Sequence, residues 1–187
     1  MTRLALVLAG LACAVVPAKA QDLIGELRVL GAGGWASSVE RDAVFGPAVP
    51  GRALGGGMAS FSFVWRSLSA GPEGFKLFGS DRRVGGAGAV LRIGPRGPAV
   101  LRPHFVVGAG WYFWDRLQAY PPSSQAFWGS DISTQFSGSL GAGITVGPPR
   151  SHLGFTVEAR VHRSLQSMEF ERGRSLYTVM SGVRWAW

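Results

Sequence analysis

Residues 134–146 read TQFSGSLGAGITV, and the fold class can be inferred from this segment. Apolar and polar side chains alternate along it at every second position, which is the repeat of a β-strand. One face carries Phe136, Leu140, Ala142, Ile144 and Val146, and the other carries Gln135, Ser137, Ser139 and Thr145. The stretch therefore predicts one long strand whose two faces meet different surroundings.

The same alternation recurs along the rest of the chain. Residues 154–162 and 177–187 show it clearly, whereas no segment keeps the repeat of an amphipathic helix. Between the alternating segments, residues 94–98 and 147–150 combine glycine and proline in tight breaks, because proline cannot donate to a strand ladder. Longer polar or irregular stretches occupy about 36–52, 115–130 and 164–173. Short and long connections are thus expected to alternate.

We predict eight strands, at about 22–35, 53–64, 68–78, 84–93, 99–114, 131–146, 152–163 and 174–187. In the third, Pro72 interrupts the pattern and Lys76 falls on the same face as Pro72 and Phe78, which predicts a bulge or a misplaced turn there. Eight antiparallel strands, with short turns on one side and long loops on the other, predict an all-β, up-and-down barrel without exposed sheet edges.

The first twenty residues are predicted to be a secretory signal peptide, cleaved before Gln21 to leave residues 21–187 as one barrel domain. They combine a positive start, an apolar run and the small-x-small motif Ala18-Lys19-Ala20. The only cysteine of the sequence, Cys13, lies within this segment. Neither a disulfide nor a lipid anchor is therefore expected in the exported chain.

The charge of the chain is basic but dispersed. The formal charge is +8, and removal of residues 1–20 takes away Arg3 and Lys19, which leaves +6 over 167 residues. Apart from Lys76, the remaining cations are arginines, whose planar guanidinium suits paired contacts with carboxylates or phosphates. Because they are scattered along an exported chain, nucleic acid is not an expected partner.

Periodicity alone leaves open which face of the barrel points inward. A soluble, lipocalin-like periplasmic barrel would turn its apolar face inward around a hydrophobic ligand. Predicted export and strands long enough for a tilted crossing of about 9–11 residues favour a transmembrane barrel instead. Aromatic residues at strand ends also favour it, because Trp and Tyr collect at membrane–water boundaries. The predicted aromatic girdle consists of Trp35, Trp65, Trp111, Phe113 and Trp185, with Trp114, Tyr120, Phe127 and Trp128 close to it in sequence.

The chain resembles the small outer-membrane barrels of the OmpA transmembrane-domain and OmpX type. The resemblance rests on the signal, on Gly71-Pro72-Glu73, on residues 102–110 and 155–160, and on Val183-Arg184-Trp185-Ala186-Trp187. It implies a bacterial outer-membrane protein that the barrel-assembly machinery inserts. It also implies an assembly signal formed by Tyr177, Val179, Val183, Trp185 and Trp187.

If the apolar faces meet lipid, the opposite faces place three Glu, five Arg and two His inside the barrel. An eight-stranded barrel has an interior only wide enough for side chains. Since an unpartnered buried charge costs several kcal/mol, we predict a connected charge network that closes the lumen. Its members are Glu26, Arg28, Glu73, Arg92, Arg102, His104, Glu158, Arg160, His162 and Arg184.

A catalytic alternative is a group formed by Glu158, His162 and His104, in which a histidine–carboxylate pair activates a serine such as Ser137 or Ser139. No motif singles out a nucleophile, however. Glu158 and His162 are four positions apart, which is about 13 Å along a strand and too far for one metal ion. We therefore expect no catalytic residues, no metal site and no cofactor.

The sequence thus predicts a monomeric outer-membrane barrel with a closed lumen and a structural or surface-interaction role. A narrow pore and the soluble barrel are the alternatives. Outer-membrane lipid and lipopolysaccharide are the expected partners, because guanidinium groups bind phosphates in pairs. The arginines in or near the long-loop side are Arg41, Arg52, Arg82, Arg83, Arg116, Arg163, Arg172 and Arg174. Residues 119–128 are apolar for an exposed loop, which indicates protein contact or packing over the barrel mouth.

Overall fold

A computed structural model of the protein describes residues 24–37, 40–41, 51–80, 82–95, 100–116, 131–148, 151–165, 171–172 and 175–187. Eight long strands follow one another along the chain: β1 (Ile24–Ala36), β2 (Arg52–Trp65), β3 (Leu68–Phe78), β4 (Arg82–Ile93), β5 (Leu101–Arg116), β6 (Asp131–Val146), β7 (Leu153–Ser164) and β8 (Ser175–Ala186). Each strand pairs antiparallel with the next, and β8 pairs with β1. The predicted closed, eight-stranded barrel is confirmed.

The predicted strand bounds differ from the observed ones by at most two residues at either end. The predicted bulge in β3 is wrong. Ser60 faces Glu73 on one side of Pro72 and Phe63 faces Ala70 on the other, so the register is the same and no residue is inserted. Only the two Cα pairs around Pro72 are missing from the β2–β3 ladder, because proline has no N–H to donate.

The connections divide between the two ends of the barrel. Residues 66–67, 94–100 and 147–152 connect strands at the turn end, and the other connections lie at the loop end. The expected alternation of short and long connections fails once, because residues 79–81 join β3 to β4 at the loop end with only three residues. At this end a two-residue antiparallel pairing of Glu40–Arg41 with Glu171–Arg172 links the connections that follow β1 and precede β8.

The predicted signal peptide and the apolar loop 119–128 lie outside the described residues. The described residues contain no helix long and apolar enough to cross a membrane.

The apolar face of the strands points away from the barrel axis. Phe105, Leu140 and Val179 are each more than 60 % exposed. Their sequence neighbours Val106 and Ser139 point inward and are buried. A contiguous apolar outer band of this kind suits hydrocarbon, and it is the opposite of the arrangement that a lipocalin-like soluble barrel requires.

Aromatic side chains mark both ends of this outer face. Trp35 and Trp111 are exposed near the loop end, and the half-buried Phe113 follows Trp111 on the same face. At the turn end lie Trp185, which is exposed, and Trp65, which is half-buried. Trp114 is different, because it faces the lumen and packs against the apolar core. The five residues of the predicted assembly signal, Tyr177, Val179, Val183, Trp185 and Trp187, are all exposed on the outer face of β8 and its end.

The seam between β1 and β8 is closed by Gly25 and Trp187. The backbone N–H of each donates to the carbonyl of the other, at 3.2 Å and 3.0 Å. The Trp187 ring covers Gly25 so closely that an added Cβ would lie 2.6 Å from its Cε2. The ring also packs against Trp185 and Phe61, with centroids 5.3 Å and 5.9 Å away. Gly25 is thus required by a close approach across the seam.

We predict that Gly25→Ala lowers the free energy of unfolding by about 1 kcal/mol, because the new methyl group displaces the Trp187 ring. Gly33→Ala is the matched control, since Gly33 lies on the outer face of the same strand with nothing within 4 Å of an added Cβ; its stability should be unchanged or slightly raised. Urea unfolding in lipid vesicles, followed by heat-modifiable gel migration, measures both. In a Trp187→Ala background the cost of Gly25→Ala should vanish, and an undiminished cost would contradict the seam packing.

Candidate functional site

The turn-end half of the lumen is filled by charged side chains that the strand alternation turns inward. At its centre lies Glu158 of β7, which is completely buried. Its Oε1 accepts hydrogen bonds from Arg28 Nη1 at 2.7 Å and from Arg92 Nε at 2.9 Å. His104 Nε2 lies 3.1 Å from the same oxygen. The other oxygen, Oε2, accepts from Nε of Arg160 at 3.0 Å and contacts Nη2 of the same residue. This carboxylate is therefore surrounded by cations.

Two further glutamates extend the charge network along the barrel wall. Glu73 of β3 accepts from Arg160 Nη1 at 2.6 Å and Nη2 at 2.9 Å, which is a bidentate pair. Arg92 Nη2 also donates to Glu73, at 3.2 Å. Glu26 of β1 accepts from Arg28 Nε at 2.6 Å and from Arg184 Nε at 2.5 Å. The charge network is Glu26, Arg28, Glu73, Arg92, His104, Glu158, Arg160 and Arg184, from six strands.

The strand β2 joins the network through hydroxyl groups. Arg92 Nη2 donates to Ser60 Oγ at 3.2 Å, and Nη1 donates to Ser62 Oγ at 3.5 Å. With these contacts every donor-bearing nitrogen of the Arg92 guanidinium has a partner. A buried guanidinium is expected to be satisfied in this way, because an unmade hydrogen bond costs more than a made one gains.

The strand β6 contributes space to the network. Gly141 and Gly143 face inward and pair with Arg160 and Glu158 across the β6–β7 ladder. A Cβ added to Gly143 would lie 2.7 Å from Glu158 Cγ and 2.7 Å from His104 Nε2. We did not predict this role from the sequence. The sequence does contain a sign of this role, because Gly141 and Gly143 occupy neighbouring positions on the inward face of residues 134–146.

Two of the ten residues that we predicted for the network stand apart from it. His162 lies closer to the loop end, where Nδ1 is 2.9 Å from the Tyr112 hydroxyl and Nε2 is 2.9 Å from Thr178 Oγ1. Arg102 faces the lumen at the turn end, and its Nε and Nη2 have no hydrogen-bond partner within the described part of the chain.

The catalytic alternative finds little support in this geometry. His104 and Glu158 are in contact, but His162 is held by a different set of partners. The hydroxyls of Ser137 and Ser139 are buried without a hydrogen-bond partner among the described residues, so neither contacts a histidine as a nucleophile would contact its base. Those residues also include no group of three His, Cys, Asp or Glu side chains that could hold a metal ion.

The loop-end half of the lumen is not lined by charges throughout, which corrects the prediction of an interior closed by charges along its whole length. Its buried inward side chains on β5, β6 and β7 are polar, among them Tyr112, Gln135 and His162, whereas the other strands contribute an apolar plug. This apolar plug consists of buried residues from five strands, with Phe75 and Trp114 packed against it: Leu30, Ala32, Ala36, Leu54, Met58, Leu77, Val84, Leu176 and Met180. On β1 and β2 several outward positions in this half are small, namely Gly31, Gly33, Gly55 and Gly57, although Trp35 on the same face is large. Both faces are therefore apolar there, and polarity does not distinguish them.

We predict that Gly143→Ala destabilises the barrel by about 2–4 kcal/mol, because the added methyl group would displace Glu158 from its buried arginine partners and would also approach the Val157 carbonyl. Gly138→Ala is the matched control on the same strand, since its Cβ would meet only the Leu165 side chain, at 3.4 Å or more. Its cost should stay within about 0.5 kcal/mol. Urea unfolding curves compare the two variants, and equal costs would show that β6 does not provide space for the network.

Comparisons with known proteins support the fold. No family model and no curated protein matches the chain. Among solved structures, Neisserial surface protein A (NspA) superposes with a TM-score of 0.62 at 8 % identity, over 88 % of this chain and 97 % of that one. Ail, the attachment invasion locus protein of Yersinia pestis, matches with a TM-score of 0.48 at 14 % identity, over 87 % and 99 % of the two chains.

The N-terminal β-barrel domain of Pseudomonas aeruginosa OprF matches with a TM-score of 0.43 at 14 % identity, over 85 % of this chain and 97 % of that domain. These structures are small outer-membrane barrels. At such identities the likeness to NspA shows a shared fold alone. The chain thus has the architecture of a small outer-membrane barrel, and no family model places it in the OmpA or OmpX group.

Proposed function

We propose that the protein is an outer-membrane barrel with a closed lumen, whose role is structural or consists of surface interactions at its loop end. The observation that carries this proposal is the order of side chains along the lumen. The charge network fills the turn-end half, and the loop-end half holds the apolar plug beside buried polar side chains such as Gln135 and His162. Glu158 and Arg160 in the network, like Leu77 and Leu176 in the plug, are 0–2 % exposed. An ion crossing the barrel would have to displace both layers.

The two layers oppose conduction for different physical reasons. In the network, Glu158 has three arginine partners and Glu73 has two, so opening a path there would leave buried charges unpaired. In the plug, an ion would lose its hydration without gaining polar partners. These two barriers lie in series, which favours the closed barrel over the narrow pore.

We predict that the purified protein shows no steady single-channel openings in planar bilayers. The triple variant Leu30→Ala, Met58→Ala and Met180→Ala removes much of the plug and should also stay silent, because the charge network remains. Steady openings of the wild-type protein would contradict the closed barrel. Steady openings of the triple variant alone would contradict closure by the network.

Cell fractionation and heat-modifiable gel migration first test whether the protein inserts into the outer membrane. The wild-type protein is expected in the outer-membrane fraction. The recordings of the triple variant are compared with those of the wild type only if the variant fractionates and migrates in the same way. Recovery of the wild-type protein in the soluble periplasm, without heat-modifiable migration, would contradict the proposal as a whole and would favour the soluble alternative.

Lipopolysaccharide is the partner that we propose for the outer wall near the loop end. Lys76 of β3 and Arg83 of β4 are exposed on this wall, and Arg83 pairs in register with Phe78. Lys76 Nζ lies 5.3 Å from the Phe78 ring. Cations on an apolar, lipid-facing wall require anionic partners at the membrane boundary, and lipid phosphates supply them. We call Lys76 and Arg83 the basic pair.

The other arginines expected to meet lipopolysaccharide divide into three groups. Arg163 is exposed on the outer face of β7, and Arg52 is exposed at the start of β2. The expectation that Arg82 meets lipopolysaccharide is wrong, because Arg82 faces the lumen and is only 7 % exposed. The side chains of the remainder lie outside the described residues: Arg41, Arg116, Arg172 and Arg174.

We predict that lipopolysaccharide raises the unfolding temperature of the wild-type barrel in vesicles, and that the double variant Lys76→Gln, Arg83→Gln loses most of this gain. The physical reason is that a ligand stabilises only the state that binds it. Arg66→Gln is the control, since Arg66 is an exposed arginine at the turn end, on the opposite membrane boundary. Heat-modifiable migration over a temperature series measures all three proteins, and equal gains would contradict the role of the basic pair.

A further inference from the structure

The lumen opens at the turn end into a cavity of about 360 Å³, which we call the vestibule. Its lining is rich in cations, although polar lumens of small barrels usually balance their charges by pairing. Among the described residues that line it, Glu26 carries the one acidic side chain. The arginines of the lining are Arg28, Arg92, Arg102 and Arg184.

The charges of this half of the lumen do not cancel. The five inward arginines at positions 28, 92, 102, 160 and 184 carry +5, and the three glutamates at 26, 73 and 158 carry −3, which leaves +2. Arg28 and Arg92 each donate to two glutamates, whereas Arg184 donates to Glu26 through Nε. Arg102 makes no bond to any of the three glutamates. The excess charge is therefore concentrated at Arg102 and Arg184, beside the vestibule.

Two residues of the vestibule lining carry unpartnered polar atoms. Nε and Nη2 of Arg102 and Oγ of Ser69 have no hydrogen-bond partner in the part of the chain that the structure describes. Both residues line the vestibule. Buried polar atoms normally have partners, so a group of orphaned ones beside a cavity indicates a missing ligand.

The two free nitrogens of Arg102 also indicate the chemistry of that ligand. Nε and Nη2 form one edge of the guanidinium, and this edge donates two parallel hydrogen bonds to the oxygens of a phosphate or a carboxylate. Both nitrogens are buried in this structure, so binding requires the Arg102 side chain to turn this edge toward the vestibule. No hydrogen bond among the described residues holds the guanidinium in its present position. An excess of two positive charges matches a phosphate monoester, which carries between one and two negative charges at neutral pH.

From the charge excess and the orphaned donors we infer that the vestibule binds a phosphate group, either free phosphate or the headgroup of a phospholipid. Arg102 makes the bidentate contact, Arg184 supplies the second charge, and the hydroxyl of Ser69 donates a further hydrogen bond. The site is separate from the basic pair, which lies at the opposite end of the barrel. It is also independent of the closed-lumen proposal, because the vestibule opens on the turn side of the network.

Calorimetric titration of the full-length protein with inorganic phosphate tests this site, in a detergent without phosphate and at constant ionic strength. We expect saturable binding with one phosphate per barrel, and at least a tenfold loss of affinity in Arg102→Gln. Arg66→Gln is the matched control, because it removes an arginine from the same end of the barrel but outside the lumen; its affinity should equal that of the wild type. Absence of saturable binding to the wild type, or equal affinities of wild type and Arg102→Gln, would overturn the inference.

A second variant covers the case in which Arg102→Gln does not fold, as judged by heat-modifiable migration. Ser69→Ala removes an unpartnered hydroxyl and adds no atom, so folding should be retained. Its affinity for phosphate should fall about threefold, in keeping with the loss of one neutral hydrogen bond. An unchanged affinity in a folded Ser69→Ala protein would overturn the assigned site.

The source of the phosphate is distinguished by a parallel titration with a water-soluble, short-chain phosphatidate. Tighter binding of the phosphatidate than of inorganic phosphate, lost in Arg102→Gln, assigns the site to a lipid headgroup. Equal or weaker binding of the phosphatidate assigns it to free phosphate. Phosphatidate binding that Arg102→Gln leaves intact would overturn the role of Arg102.

Discussion

The absence of water from the hydrocarbon core of a membrane is the constraint on which the rest of this structure depends. Every backbone N–H and carbonyl at that depth must find its partner in the protein, and a sheet meets this requirement only when it closes on itself. Here closure depends on the pairing of β1 with β8, from Glu26 opposite Ala186 to Ala36 opposite Leu176. Gly25 and Trp187 extend that pairing by one further step. Once the sheet is closed with eight strands, the lumen is too narrow for anything but side chains.

The inward and outward faces of each strand must differ, so that only one of them fits the narrow lumen. In this protein the two faces differ either in polarity or in side-chain size. In the turn-end half the difference is polarity: charged side chains point inward and apolar ones point to lipid. In the loop-end half of β1 and β2 the difference is size: Leu30 and Met58 point inward, whereas Gly31 and Gly57 point outward. Either means fixes the register of a strand, because a slip by one residue would exchange the two faces.

The sequence predicts the part of this arrangement that depends on local periodicity. Alternation in residues 134–146 identifies β6 and its inward face, because successive side chains of a strand always point to opposite sides. Contacts between distant strands leave no such mark: Arg28 and Glu158 are 130 positions apart, and nothing local indicates that they pair. The inward direction of Trp114 and the composition of the apolar plug are not predicted from the sequence for another reason. Where both faces are apolar, polarity carries no information about direction, and only the small size of the outward residues does.

The axial order of the lumen explains why, among the described residues, the excess of positive charge lies beside the vestibule. Glu158 lies deep in the network and is completely buried, so its charge is compensated by several arginines at once. Arg102 lies at the vestibule, where an anion can supply the partners that its buried Nε and Nη2 lack in the described part of the chain. Beyond the network, the apolar plug contributes no charge that could offset the excess. The excess of positive charge therefore lies at the end of the lumen where the vestibule opens. An anion that enters the lumen there gains the most favourable electrostatic interaction.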